Sequence, residues 1–203
     1  MKYFKMLGFA AVAAAILIAF LGACTASATV LCTETPSEGH CTDIEEFGDV
    51  LDASVTTSAH LKTTGGSTIA TCSGGTVKGE ITSEGSTTSK VSGHIDKLTW
   101  SGCTTTVITL ANGTLELHHS SGTDEGIVVS SGSKVTIKYL GITCTYETKN
   151  TSIGTLTGGN PATFDISAII PEVSENFGCP AHGVWSGSYT LTEPSGTLHV
   201  AGG

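Results

Sequence analysis

The segment Phe164-Asp165-Ile166-Ser167-Ala168 sets apolar and polar residues strictly in turn, and that period of two decides the fold. Side chains of an extended strand point alternately to its two faces, so this run offers one face to a core and one to water. The same pattern spreads in both directions along the chain. Leu51, Ala53 and Val55 alternate with Asp52 and Ser54, Leu115 and Leu117 with Glu116 and His118, and Val135 and Ile137 with Thr136 and Lys138. These runs are rich in Thr and β-branched residues, and turn residues bound most of them. Gly65-Gly66, Gly74-Gly75, Asn112-Gly113, Ser131-Gly132 and Gly158-Gly159-Asn160-Pro161 read as turns. About a dozen short strands at this spacing predict an all-β fold, an antiparallel β-sandwich or barrel. Thr42-Asp43-Ile44-Glu45 has the form of a helix capping box, but Gly48 and the strand pattern from Val50 favour an acidic turn.

The N-terminus reads differently. Lys2 and Lys5 precede an uncharged apolar run from Leu7 to Ala23, the pattern of a cleaved secretory signal over residues 1–28. Two processing sites compete. Leu21-Gly22-Ala23-Cys24 resembles a bacterial lipobox and would leave a lipid on Cys24, whereas Ala26-Ser27-Ala28 would release a chain beginning at Thr29. Residues 29–203 are expected to form one all-β domain, exported and either extracellular or lipid-anchored at the cell envelope. Without the leader, 18 acidic residues face seven lysines and no arginine. That balance argues against nucleic acid and against anionic membrane surfaces, so the membrane enters only through a lipid on Cys24.

Either cleavage removes Cys24 as a free thiol and leaves six cysteines: Cys32, Cys41, Cys72, Cys103, Cys144 and Cys179. An even number in an oxidising compartment implies a disulfide framework. Sequence order and an internal repeat favour Cys32–Cys41, Cys72–Cys103 and Cys144–Cys179. The repeat sets Ile69-Ala70-Thr71-Cys72, Trp100-Ser101-Gly102-Cys103 and Gly113-Thr114-Leu115 against Gly141-Ile142-Thr143-Cys144, Phe177-Gly178-Cys179 and Gly196-Thr197-Leu198. It divides the domain into related halves at about 60–119 and 133–201.

Thr29-Val30-Leu31-Cys32, Cys72, Trp100-Ser101-Gly102-Cys103, Ile142-Thr143-Cys144-Thr145-Tyr146 and Trp185-Ser186-Gly187-Ser188-Tyr189 together resemble a set of small secreted, cysteine-containing all-β proteins of soil actinobacteria with no assigned function. The resemblance implies fold and export, and it carries no catalytic residues. Mature chains of that set begin near an Ala-Thr-x-Leu-Cys element, matched here by Ala28 to Cys32, which favours release after Ala28.

Candidate chemistry is sparse. Glu116 and His118 share a strand face and would need a third ligand such as His199 to hold a metal. A wet strand face explains them equally, so no metal and no cofactor is assigned. His94 with Asp96, and His182 near Ser186, are the histidine pairings a hydrolase would use, but no Gly-x-Ser-x-Gly elbow accompanies them. The acidic residues Asp43, Glu45, Glu46, Asp49 and Asp52, and the pair Asp124 and Glu125, lack the spacing of a calcium loop. Trp185 and Tyr189 share a strand face and suit core packing better than sugar stacking. No catalytic residue is assigned. The preferred reading is a non-enzymatic binding or structural surface module with a glycan or protein partner. A secreted hydrolase and a small-ligand or inhibitor-type sandwich are the alternatives.

Overall fold

A computed structural model describes residues 28–36, 41–120 and 123–203. Cys24 and all of the expected leader but Ala28 lie outside the described residues. The described residues form fourteen strands and no helix. They are β1 (Val30–Cys32), β2 (Val50–Val55), β3 (Ala59–Thr63), β4 (Thr68–Glu84), β5 (Val91–Cys103), β6 (Val107–Ala111) and β7 (Thr114–His119). There follow β8 (Glu125–Ser131), β9 (Lys134–Tyr139), β10 (Ile142–Glu147), β11 (Thr151–Thr157), β12 (Thr163–Pro171), β13 (His182–Glu193) and β14 (His199–Ala201). The capping-box segment makes no helix. Ile44 bridges to Cys32, the Glu45 amide donates to Leu31 O, and the chain turns at Gly48 with a φ of +92°.

The sandwich-or-barrel alternative resolves as a barrel. Pairing runs β2-β4-β5-β7-β8-β11-β12-β13 and returns to β2, every neighbour antiparallel. Closure leaves this tier no free edge. β3 follows β2 in the same gap, pairing with β4 through Ala59–Cys72 and with β13 through Trp185–Leu61. Thus β2 and β3 act as one interrupted strand, and the long β4, β5, β12 and β13 run on past the first tier into a second.

In that second tier β7 no longer accompanies β5, because the two pair only over Val91–His94. A three-stranded sheet, β10-β9-β6, fills the gap. On one side Thr109 Oγ1 donates to Leu98 O of β5 at 2.9 Å. On the other, Tyr146 bridges to Glu172 and the Val173 amide donates to Thr145 O at 2.8 Å. The opposite end of the molecule is covered by the β1–β14 pair, which seats Leu31 and Val200 in the core.

The opening segment behaves as its alternation requires. In β12, Phe164, Ile166, Ala168 and Ile170 are buried while Thr163, Asp165, Ser167 and Ile169 are exposed. Buried Tyr146 and Tyr189 supply the bulk that a core poor in aromatics needs. A cluster of hydroxyls is also buried between the tiers. Ser130 Oγ lies 3.0 Å from Ser133 Oγ and 2.9 Å from Thr148 Oγ1, which in turn accepts from the Ser133 amide. Each group is satisfied within the cluster, as burial demands.

Gly74-Gly75 is not a turn, contrary to the expectation from its sequence. Both glycines lie inside β4, opposite Ser101 and Trp100 of β5. A Cβ on Gly75 would lie 2.8 Å from Thr99 O, so what marks the site is close approach of two backbones. The strands are also longer than the expected short ones, with 17 residues in β4 and 13 in β5. Irregularities at Lys78/Gly79 and Ile81/Ser83 bend this ribbon around the barrel.

Disulfides join Cys32 to Cys41, Cys72 to Cys103 and Cys144 to Cys179. Cys72 and Cys103 are direct partners across β4 and β5. Cys144 of β10 instead holds the loop after β12, whose Asn176 side chain donates to Thr143 O. Residues 60–119 supply the adjacent walls β3, β4, β5 and β7, and residues 133–201 supply β11, β12 and β13.

Candidate functional site

Among the described residues, two apolar cavities stand out in the barrel interior. The larger, about 110 Å³, is lined by Leu31, Leu51, Val77, Ile81, Leu117 and Phe164 among others. The smaller, about 60 Å³, lies in the second tier between Trp100, Val107, Tyr146, Ile170 and Trp185. Ligand pockets are typically about 300–1,000 Å³, and an engineered apolar cavity of about 150 Å³ takes up a single benzene. These are packing voids of a glycine-rich barrel. Trp185 meets Trp100 edge-on at 5.9 Å, and Tyr189 lies 6.1 Å from Phe164. Both tryptophans therefore serve the interior. Burial pushes the Tyr189 hydroxyl far above its usual ionisation range and that of Tyr146 up to about 12.

The outer surface of the β6-β9-β10 sheet has a different character. The register sets Ile108, Thr136 and Thr145 in one row across the three strands, with Lys138 and Thr143 in the next. Ile108 and Leu110 are 52% and 56% exposed on β6, the strand that lies beside β5. At the β9–β10 turn Leu140 is 83% exposed with a φ of +50°. A bulky residue is rarely found in that region. Phe177 is fully exposed on the loop that Cys179 ties to β10. The face thus combines threonines with two large apolar side chains turned to solvent, and the adjoining turn and loop each expose one more.

The histidines fall into separate groups. Glu116 contacts both Lys90 and His118, the latter at 3.6 Å. The Lys90 hydrogen bond is the main force holding the Glu116 carboxyl below its ordinary range. His199, the expected third ligand, lies elsewhere, with Nδ1 on Asp124 and Nε2 3.4 Å from Thr35 Oγ1. His182 is exposed and paired with Pro171 across β12, and no hydrogen bond joins it to Ser186. The pair His94 and Asp96 does form, with Nε2 2.8 Å from Oδ1. Glu80 completes a trio whose ligand atoms all lie within 4.8 Å of one another. Glu80 escapes notice in the sequence because only the β4–β5 register brings it opposite His94.

The acidic run is divided among separate tasks. Asp49 accepts from the Glu46 amide at 2.6 Å, and Asp52 faces Lys78 at 3.7 Å. Glu45 is buried, and desolvation, then its hydrogen bond and repulsion from Asp49, push its pKa up to about 7. As pH rises from about 4.5 to 7, the unfolded chain loses this proton before the folded chain does. The Glu45 contribution, fully present below pH 4.5, is therefore lost across that window. Glu45→Gln should remove a loss of about 2 kcal/mol between pH 5 and 7.5, measured by urea unfolding at both values. Asp124 accepts from the Val200 amide and holds His199, while Glu125 faces solvent at the start of β8.

Compared with protein-family models, curated proteins and solved structures, the chain matches none.

Proposed function

We propose that this is an exported, non-enzymatic binding module that holds a protein partner at the cell surface on the outer face of the β6-β9-β10 sheet. The observation that carries the reading is the exposure of Ile108 and Leu110, two residues apart on the outer face of β6. Large apolar side chains gathered on an exposed face mark a surface for a protein partner. Leu140 and Phe177 extend the apolar surface at the turn and the disulfide-held loop. A protein fits better than a glycan, because Trp185 and Tyr189, the candidates for stacking on sugar rings, are engaged with Trp100 and Phe164. Export through residues 1–28, with release after Ala28 or a lipid on Cys24, belongs to the same proposal. So does the kinship with secreted actinobacterial proteins.

The test is binding of the purified protein to envelope preparations of its host. Ile108→Lys with Leu110→Lys should weaken binding by about tenfold or more, equivalent to about 1.4 kcal/mol. Protease treatment of the envelope should abolish binding, whereas periodate oxidation of its glycans should leave it intact. Equal binding by the double variant, or loss on periodate treatment alone, contradicts the reading.

One arrangement supports a second reading, a hydrolase. Asp124, His199 and Thr35 form a carboxylate–imidazole–hydroxyl chain, the order of groups that activates a hydroxyl nucleophile. A fluorophosphonate probe separates the two readings. Labelling at Thr35, lost in His199→Gln, favours the hydrolase; an unlabelled Thr35 leaves His199 as a tie between β14 and the N-terminal segment.

A further inference from the structure

We propose that Glu80, His94 and Asp96 form a binding site for a first-row divalent metal ion, with Zn²⁺ the best match. Their ligand atoms lie within 4.8 Å of one another on the outside of the barrel. Two carboxylates and one imidazole form a donor set that Zn²⁺ accepts readily, with water completing a tetrahedron. Ca²⁺ and Mg²⁺ prefer oxygen alone.

The scaffold is rigid where it needs to be. Glu80 and His94 are direct partners across β4 and β5. Asp96 is the unpaired residue of the irregularity in which Lys78 opposes Lys97 and Gly79 opposes Ile95. Bulges of this kind re-aim a side chain. Its backbone is pinned as well, since Asn112 Nδ2 donates to Asp96 O at 2.6 Å and the Ile95 amide donates to Gly113 O at 3.0 Å. Ile95 points into the core, so His94 and Asp96 on either side of it face outward together.

Charge separates this trio from the other histidine groups. Glu116 beside His118 is engaged by Lys90, whereas among the described residues no lysine forms an ion pair with Glu80 or Asp96. His94 and Asp96 are already in contact at 2.8 Å. Tetrahedral ligands at Zn²⁺ distances of about 2.0–2.1 Å stand about 3.4 Å apart. Side-chain rotation is thus enough to close Glu80 onto the pair, with the strands unmoved.

The test is calorimetric titration of the purified oxidised protein with ZnCl₂, alongside visible absorption on titration with Co²⁺. One saturable Zn²⁺ site is expected, with a Co²⁺ spectrum of four-coordinate type. His94→Gln and Glu80→Gln should each weaken binding by about tenfold or more, since even outer-shell changes at metal sites cost 10–100-fold. His118→Gln should bind as the unaltered protein does, and excess Mg²⁺ should not compete. Absence of saturable binding, undiminished affinity in His94→Gln, or an equal loss in His118→Gln overturns the proposal. All three substitutions are at partly exposed positions, and far-ultraviolet dichroism checks that each variant is folded.

Discussion

Replacing Cys144 and Cys179 together by alanine is expected to lower the melting temperature by about 10 °C. The bond closes a loop of sequence separation 35, worth about 4 kcal/mol in the chain-entropy model. For a domain of this size each kcal/mol moves the midpoint by about 2–4 °C. The native state loses packing as well, since Cys144 is completely buried. The bond ties the loop bearing Phe177 to β10 and lies next to the Tyr146–Glu172 bridge that joins the second tier to β12. Calorimetry of the oxidised double variant reads the effect. Alanine at both Cys32 and Cys41, where the separation is 9, should cost less, about 2.5 kcal/mol. A shift under about 3 °C for the Cys144 and Cys179 variant would mean that other contacts already hold the loop.

Gly154→Ala should destabilise the fold by roughly 3 kcal/mol, at the upper end of what overpacking costs. A Cβ at this position would lie 2.0 Å from Asp165 O and 2.9 Å from Ile166 Cα. Both obstacles are backbone, so no rotamer relieves them. Gly154 sits beside the register shift of β11 against β8 and faces Ile166 of β12. An added methyl must therefore push two barrel strands apart. Gly65→Ala is the control, because its Cβ would make only an ordinary contact at 3.7 Å with Thr63 Oγ1. That variant should stay within about 0.5 kcal/mol of the parent. Urea unfolding of both proteins gives the comparison, and equal stabilities would remove the close β11–β12 approach from the account.

Much of the architecture is legible in the chain because strand alternation is a local property. Phe164, Ile166 and Ala168 face inward, as their spacing requires. The turns at Asn112-Gly113 and Ser131-Gly132 carry positive φ at both glycines. Gly74-Gly75 misleads for a physical reason: a glycine that lets two backbones approach looks the same in sequence as one that reverses the chain. Barrel closure was equally hidden. It depends on β13 returning between β12 and β2, and no short-range signal records that. The side-chain groups depend on the same long-range register. His94 and Asp96 are near neighbours in sequence and could be paired from it, but Glu80 joins them only across β4. Asp124 meets His199 across a separation of 75 residues. Ile108 and Leu110 carry no local mark of exposure, because only the packing of the β6-β9-β10 sheet on the barrel sets which face of β6 meets solvent.

Closure of the first tier is the claim on which the two faces, the cavities and the outward-facing trio all depend. Its most direct test is nuclear Overhauser spectroscopy of the backbone protons of β13. The account predicts that Thr190 shows cross-strand contacts to both Thr163 of β12 and Ser54 of β2. Contacts from Thr190 to one of these partners alone, with the Ser54 side open to rapid amide exchange, would mean an open sheet and contradict the barrel.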